Sequence, residues 1–426
     1  MPLVDPAVAA HHLSGKRIAI WGFGREGRAA LRFLRARIPD VALTVLDDAA
    51  DQVGAGDVPI VSGRASIATA IEAFDVVVKS PGISLYDPLV LQAQAAGVRF
   101  TSLLNLWFAD DPTARTICVT GTKGKSTTAA LIAHILRGTG RNAALAGNIG
   151  VPVTELPRQG LDYAIIEVSS YQAADFDGTC DLAVLTMLAQ EHLDWHGSVA
   201  AYQRDKLNLL RHARHVIVNS DARGAVTDMA ATTFFDPRAV LHLANDHLAR
   251  PHNLSNLSAA LAVAEYLGID RVEAIRAAED FRPLPHRQQE IGEIDGVLYV
   301  DDSISTTPES AVAALEVYRE RAVTIIIGGY DRGIAYGVLV ERLRATPPNA
   351  IILLDVSGRR IFDALAPLAG VHVVQSMSHA VDLARKMTPR GGVILLSPAA
   401  PSYGVYRSYI ERGADFARCA GLSVAG

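Results

Sequence analysis

Cysteine is nearly absent from this chain. Three occur in 426 residues, at the widely separated positions Cys118, Cys180 and Cys419, and no C-x-x-C pair exists. A disulfide-stapled scaffold and a cysteine-rich zinc site therefore have no basis, and Cys118, in an apolar stretch, reads as a small core residue. Long hydrophobic runs are missing too. None approaches about 18 uninterrupted apolar residues, which excludes a membrane-spanning helix. The first dozen residues lack a basic head followed by an apolar core, so no secretory signal is expected and the expected location is cytoplasmic. Nor does one sign of charge dominate. Forty Lys and Arg stand against 45 Asp and Glu, interspersed, for a net charge of −5. No basic face invites nucleic acid or an anionic membrane. Aromatics are sparse at 6%, and internal repeats and low-complexity segments are not evident.

What the chain has in quantity is apolar residues, at 50%, and glycine, at 34 positions. That composition fits a soluble α/β protein with many strand-to-helix turns. At roughly 150 residues per domain, the length suggests three domains. The stretch around which the rest is organised is Ile117-Cys-Val-Thr-Gly-Thr-Lys-Gly-Lys-Ser-Thr127. Its first residues form a short β-branched strand, Gly121-Thr122-Lys123-Gly124 form a turn, and Lys125-Ser126-Thr127 open an Ala/Leu-rich helix. Strand, glycine turn and helix start together make an anion cradle of unpaired N–H groups at the positive end of the helix dipole. Lys125 would reach the terminal phosphates of a nucleoside triphosphate, and the Ser126 or Thr127 hydroxyl would meet Mg²⁺. Val119 replaces the first glycine of the full G-x-x-x-x-G-K-[ST] pattern. An ordinary helix cap is the plainer alternative.

A second glycine turn lies near the start. The strand 17–21 runs into Gly22-Phe23-Gly24-Arg25-Glu26-Gly27, a helix over 28–37 follows, and a strand over 41–46 ends at Asp47. This G-x-G-x-x-G turn with a carboxylate about 20 residues on suits a dinucleotide, another nucleotide diphosphate, or a purely structural turn. Later, Val76-Val-Val-Lys-Ser-Pro-Gly-Ile83 is a strand running into a Pro-Gly turn. A boundary is expected near Asp110.

Downstream of the phosphate turn, Gly147-Asn148-Ile-Gly150 is a loop, and Tyr163-Ala-Ile-Ile-Glu-Val-Ser-Ser-Tyr-Gln172 puts Glu167 inside an apolar strand. A carboxylate there is costly unless a cation or hydrogen bonds meet it. If that strand pairs beside the phosphate-binding strand, Glu167 reaches the Mg²⁺. The run 182–188 ends in Ala-Gln-Glu-His-Leu-Asp194, so His192 lies after another strand and suits a metal ligand or a surface histidine. Lys206 reads as a surface lysine on a helix. Asn253 and Asn256, at a helix start, could cap it or read a base edge. The last third alternates strands and helices again, after a hinge at Leu284-Pro-His-Arg287. Its strand ends carry Asp302, Thr306, Arg332 and Ser402, each of which could equally be a capping residue. Three doubly wound α/β domains are the expected fold: a Rossmann-like domain over 1–110, a P-loop ATPase domain over 111–285 and a Rossmann-like domain over 286–426.

The set Gly121-Thr-Lys-Gly-Lys-Ser-Thr127, Gly147-Asn-Ile-Gly150, Glu167-Val-Ser-Ser-Tyr-Gln172, Glu191-His-Leu-Asp194, Leu284-Pro-His-Arg287, Gly328-Gly-Tyr-Asp-Arg332 and Ser397-Pro-Ala-Ala-Pro-Ser402 resembles the Mur ligase family, in order through all three domains. The resemblance implies an ATP- and Mg²⁺-dependent ligase of peptidoglycan precursor synthesis that joins glutamate to UDP-N-acetylmuramoyl-L-alanine. It acts on small molecules, with no nucleic acid partner and no membrane insertion, as a monomer. The first domain would hold the UDP group, through Gly22 to Glu26, Asp47 and Ser80, and not NAD. Asn148, Ser169 and Gln172 match positions near the muramoyl-alanine end. The resemblance makes Lys125 the phosphate lysine and Glu167 and His192 magnesium ligands. It turns Lys206 from a surface lysine into a carbamylated metal ligand. Asn253, Asn256, Arg287 and Asp302 match ATP-contacting positions, and Thr306, Arg332, Ser402 and Tyr409 match the glutamate pocket.

Departures cluster in that pocket. Ile304 stands where D-glutamate-adding members usually carry lysine, Arg332 where they carry lysine, and Ala399-Ala-Pro-Ser402 where they carry Ala-Cys-Ala-Ser. In the first domain Leu103-Leu-Asn-Leu106 replaces a Glu-Ile-Glu-Leu-like segment. Guanidinium binds a carboxylate bidentately where ammonium does not, so the exchange moves the grip on the amino acid. The pattern resembles the L-glutamate-adding subgroup, with D-glutamate as the alternative. An oxidoreductase using NAD at Gly22 to Gly27, or a P-loop switch protein, are the rivals from other classes.

Overall fold

The computed structural model describes residues 13–422 except 39, 49–55, 190–192, 230, 240–242, 244, 246, 250, 283, 332–334 and 367. These residues build three sheets. In the first, β1 (Ile18–Trp21), β2 (Leu43–Asp47), β3 (Ile60–Ser62), β4 (Val76–Lys79) and β5 (Arg99–Thr101) lie in the order β3-β2-β1-β4-β5. In the second, β6 (Arg115–Thr120), β7 (Ala143–Gly147), β8 (Tyr163–Glu167), β9 (Cys180–Leu185), β10 (Ala213–Asn219) and β11 (Thr232–Phe235) lie in the order β11-β10-β9-β6-β8-β7. Every described pairing in both sheets is parallel. Parallel strands are covered by helices on both faces and so read as continuous apolar runs. β8 is such a run, buried from Tyr163 to Glu167. Each fully buried isoleucine in it contributes about 1.5–3 kcal/mol.

The third sheet comprises β12 (Gln289–Ile294), β13 (Val297–Asp301), β14 (Val323–Gly328), β15 (Ala350–Leu354), β16 (Val371–Val374) and β17 (Val393–Leu396), in the order β12-β13-β17-β14-β15-β16. This sheet is parallel as well, except at its edge, where β12 pairs antiparallel with β13. The edge strand β12 is half-exposed along its length, so its sequence carries no apolar run to announce it. By its contacts the chain divides into two compact units, between Phe281 and Arg282. The first unit contains the first two sheets and the second unit the third.

In an open parallel sheet, ligands bind outside the carboxyl ends of strands where the strand order reverses. β1 lies between β2 and β4, and β6 lies between β8 and β9. The two glycine turns of the sequence follow these two strands. The first helix begins at Arg25, not Arg28, and extends to Arg37. Gly24 is its N-cap, and Glu26 in the first turn complements the helix dipole.

Candidate active site

The phosphate turn leaves β6 at Gly121 (φ +151°) and enters the helix Lys125–Gly138 through Gly124 (φ +86°), which is its N-cap. No side chain caps that helix and no acidic residue occupies its first turn. The positive end of its dipole therefore faces the turn without an acidic neighbour of its own, which favours an anion there. Gly124 is also a steric requirement: a Cβ there would lie 2.2 Å from Asn256 Oδ1. The turn is held from outside. Thr122 N–H donates to Met187 O at 2.7 Å. Thr186 Oγ1 donates to Lys123 O at 2.6 Å. Lys125 Nζ folds back to the carbonyls of Gly121 and Thr122, at 3.0 and 3.1 Å. Ser126 and Thr127 are buried behind it.

β8 pairs with β6, bringing Glu167 opposite Val119 as the sequence pattern required. Glu167 is 2% exposed. One carboxylate oxygen accepts from Asn148 Nδ2 at 2.7 Å, and the other is buried with no hydrogen-bond partner among the described residues. A buried carboxylate oxygen without a partner is what a cation would satisfy, so the residue fits a magnesium ligand. Among the described residues no group of three or more His, Cys, Asp or Glu side chains converges on one point. His192 lies outside the described residues.

Lys206 corrects the surface reading. It is 1% exposed, and its Nζ donates to Gly121 O at 2.9 Å, in the phosphate turn itself. On the helix Val199–Arg211 the buried set Tyr202, Asp205, Lys206, Leu209 and Leu210 forms one stripe, placing two charged residues on the apolar face. That spacing was the available signal. Asn253 and Asn256 also shift: the helix carrying them starts at Pro251, so both lie within it. Asn256 Oδ1 accepts from Thr128 Oγ1 at 3.3 Å beside Gly124, while Asn253 Nδ2 donates to His247 O at 2.9 Å.

At the first sheet, Gly22 (φ +87°) turns the chain under Ser80, whose Oγ donates to Gly22 O at 2.7 Å. Gly27 is needed for close packing, since a Cβ would meet Gly22 O at 2.1 Å. Gly24 is different: its φ is −74° and a Cβ would touch nothing within 4 Å. As the N-cap it occupies a position where glycine is favoured, and the space beside its Cα is open to a ligand. Asp47 is buried and accepts from Phe23 N–H at 2.6 Å, so the carboxylate expected on a ribose pins the turn. Arg25 Nη1 donates to Gly150 O at 2.9 Å, and Gln172 Nε2 approaches Glu26 Oε1 at 3.5 Å. Burial raises the pKa of Glu26. Ser169 and Gln172 form a capping box on the short helix Ser170–Ala174. The first glycine turn and the loops after β7 and β8 are thereby brought together.

In the second unit, Asp302 follows β13 and is fully buried, its carboxyl pushed up to about 6 by burial. Ser397 Oγ and Gln288 N–H donate to it at 2.8 and 3.1 Å, and Arg287 opposes the rise. Ser402 is buried, and Thr306 is half-buried on the loop after β13. Tyr409 opens the helix Tyr409–Ala420, and its carbonyl accepts from Ser303 Oγ at 2.8 Å. Arg332 lies outside the described residues.

Four polar residues escaped the sequence reading: Lys79, Tyr86, His196 and Asp205. Lys79 Nζ lies 2.7 Å from Asp175 Oδ2, both buried. Lys79 ends the apolar strand Val76-Val-Val-Lys79, the same signal that singled out Glu167.

Comparison with known proteins agrees along the chain. Residues 16–102 match the MurD-like N-terminal domain of Mur ligases, 119–236 the Mur ligase middle domain, and 286–400 the Mur ligase glutamate ligase domain. A protein of Xanthomonas axonopodis pv. citri named UDP-N-acetylmuramoyl-L-alanine–L-glutamate ligase is 42% identical over 97% of both chains. Proteins of the same name from Xylella fastidiosa and a Micromonospora species are 44% and 40% identical, covering 96% and 95% of this chain and 96% of each relative. Among solved structures, UDP-N-acetylmuramate-alanine ligase MurC of Thermotoga maritima aligns over 95% of this chain and 98% of its own, with TM-score 0.58 and 17% identity. MurF ligase of the same organism, in complex with ADP, aligns over 98% and 97%, with TM-score 0.57 and 15% identity. These two likenesses concern the fold.

Proposed function

Because this chain belongs to the Mur ligase family, we propose that it joins L-glutamate to UDP-N-acetylmuramoyl-L-alanine at the expense of ATP. The observation that carries the reading is the pairing of β6 with β8. It sets an uncapped, glycine-lined helix start beside a buried carboxylate with one oxygen unmet. The chemistry is acyl activation. The alanine carboxylate attacks the γ-phosphate, giving an acyl phosphate and ADP; the glutamate amine then attacks the acyl carbon and phosphate leaves. Lys125 and the turn amides stabilise charge on the transferring phosphoryl group. A magnesium ion held by Ser126, Glu167, His192 and carbamylated Lys206 would supply further charge neutralisation.

Residues 1–110 serve in this reading as the UDP domain, 111–285 as the ATP domain and 286–426 as the glutamate domain. Gly24 is compatible with the first assignment, since the space a side chain would take there is open. Asn253, Asn256, Arg287 and Asp302 are assigned to ATP, and Asn148, Ser169 and Gln172 to the muramoyl-alanine end. Thr306, Arg332, Ser402 and Tyr409 are assigned to glutamate. The relatives' names support the L isomer, as does arginine at 332. No helix among the described residues is long and apolar enough to cross a membrane, and the reading places the protein in the cytoplasm as a monomer.

The test is phosphate release from ATP and Mg²⁺ with UDP-N-acetylmuramoyl-L-alanine, using L- or D-glutamate in separate reactions. Release with L-glutamate alone is the expected result. Release with D-glutamate alone keeps the ligase and reverses the stereochemical assignment. Release in neither defeats the proposal.

A further inference from the structure

A Ser–His–Asp arrangement lies beside the phosphate turn, and the ligase chemistry does not use it. His196 Nδ1 is 2.7 Å from Asp205 Oδ2, and His196 Nε2 is 3.0 Å from Ser170 Oγ. All three side chains are buried. The geometry matches that of a nucleophilic triad, but the surroundings differ. Ser170 is the first residue of a capped helix. The carboxylate is clamped from its other side by Tyr86, whose hydroxyl is 2.7 and 2.8 Å from the two Asp205 oxygens. Arg204 donates to that hydroxyl at 2.7 Å. Burial, then Asp205, push the Tyr86 phenol up to about 12, so it keeps its proton and remains a donor.

Tyr86 belongs to the segment after β4 of the first sheet, whereas Asp205, His196 and Ser170 belong to the second. A neighbouring tie runs the same way: Ser84 Oγ donates to Trp195 O at 2.8 Å. Trp195 in turn stacks on Tyr171, ring centroids 4.7 Å apart. The far ends of this line are both in the site. Asp205 precedes Lys206, which bonds the phosphate turn. Ser170 follows Ser169, whose capping partner Gln172 faces Glu26 in the glycine turn. β4 itself ends at Lys79, and the next residue, Ser80, bonds Gly22 O.

We propose that Tyr86, Asp205, His196 and Ser170 form a positioning relay, through which a UDP-linked substrate on the first sheet fixes Lys206 and the Ser169–Gln172 turn for phosphoryl transfer. The inference rests on the ligase reading for the identity of that substrate. The relay acts by orientation: two buried hydrogen bonds at His196 and two part-buried ones from Tyr86 hold the two segments in one arrangement. The serine is therefore a fixed end of the line and not an attacking group.

Hydrogen–deuterium exchange on the full chain, with and without UDP-N-acetylmuramoyl-L-alanine and no ATP, tests this directly. In the parent protein the substrate should slow exchange both at residues 22–27 and at residues 199–206. Tyr86→Phe should keep the first protection and lose the second. Its kcat should fall about ten- to a hundredfold, the effect of a small misplacement, with KM for ATP changed less than about twofold. Asp205→Asn should behave alike; if it fails to fold, the phenylalanine variant, which removes one hydroxyl, still decides. Protection of 199–206 retained in Tyr86→Phe overturns the relay, as does its absence in the parent. Covalent labelling of Ser170 by a fluorophosphonate would overturn it by making the serine a nucleophile. Loss of turnover in the parent with substrate-linked protection intact would count against the ligase reading and in favour of the relay.

Discussion

A lysine amine shut away from water is costly unless its surroundings meet it, and Lys206 meets it in the phosphate turn, on Gly121 O. A group buried there acts on whatever the turn binds. Under the proposed reading its carbamate is a metal ligand, so Lys206→Ala should lower kcat roughly 10²–10³-fold, the usual scale for one preorganised electrostatic group. Small carboxylic acids diffusing into the vacated space should restore part of the rate; a variant that is dead and unresponsive to them would remove the carbamate role. At this scale the sequence was legible unevenly. Glu167 was readable because an acid interrupts an apolar strand. Lys206 was placed by the family resemblance, and from the residues alone it was readable only by projecting Tyr202, Asp205, Lys206, Leu209 and Leu210 onto one helical face. His196 and Tyr86 carry no such signal, since their partners lie 9 and 119 residues away on Asp205.

Strand, turn and helix in succession make the phosphate cradle, and its elements depend on one another through Gly124. That residue sits at φ +86°, and its missing side chain leaves the space that Asn256 Oδ1 occupies. Asn256 is fixed in turn by Thr128 and Asn253. An alanine here would bring about 1–2 kcal/mol of left-handed strain and a clash that the held asparagine cannot readily relieve. Gly124→Ala should therefore weaken binding of a non-hydrolysable ATP analogue at least about tenfold by calorimetry, the equivalent of 1.4 kcal/mol. Unaltered affinity would show that the nucleotide does not use this turn. The strands β6 and β8 and the helix Lys125–Gly138 were visible in the sequence to within a few residues, because parallel buried strands are apolar throughout and Gly-Lys-Ser-Thr marks a helix start. β12 was not visible: a half-exposed edge strand obtains its pairing from β13, and its own residues do not specify it.

At the scale of the molecule, the first unit is two sheets joined across a seam of buried polar groups. Lys79, the last residue of β4, faces Asp175. Asn105, on the helix Leu103–Ala109, donates to Asp175 O at 2.6 Å and accepts from Asp177 N–H at 3.2 Å. These contacts join residues 70 and 72 positions apart, so no local pattern could reveal them. Asp177 has one buried oxygen without a partner among the described residues, and burial, reinforced by the Asp175 charge, pushes its carboxyl up to about 7. The sign follows from proton counting. The unfolded carboxyl loses its proton near its ordinary 3.8, whereas the native one holds it to about 7. Across that window the native state binds more protons, so this group's contribution makes stability fall as pH rises and then level off above about 7. Asp177→Asn imitates the protonated acid and removes the penalty. The shift is large, but the residue is partly exposed and solvent screens it, so the gain above pH 7 is on the order of 1 kcal/mol. Its melting temperature should exceed the parent's by roughly 2–4 °C at pH 8. The two proteins should converge near pH 3, below the ordinary 3.8, where the aspartate is neutral in both the folded and the unfolded state. An equal gain at both pH values would mean that the amide stabilises by a new hydrogen bond, and that the seam does not store the carboxyl's proton.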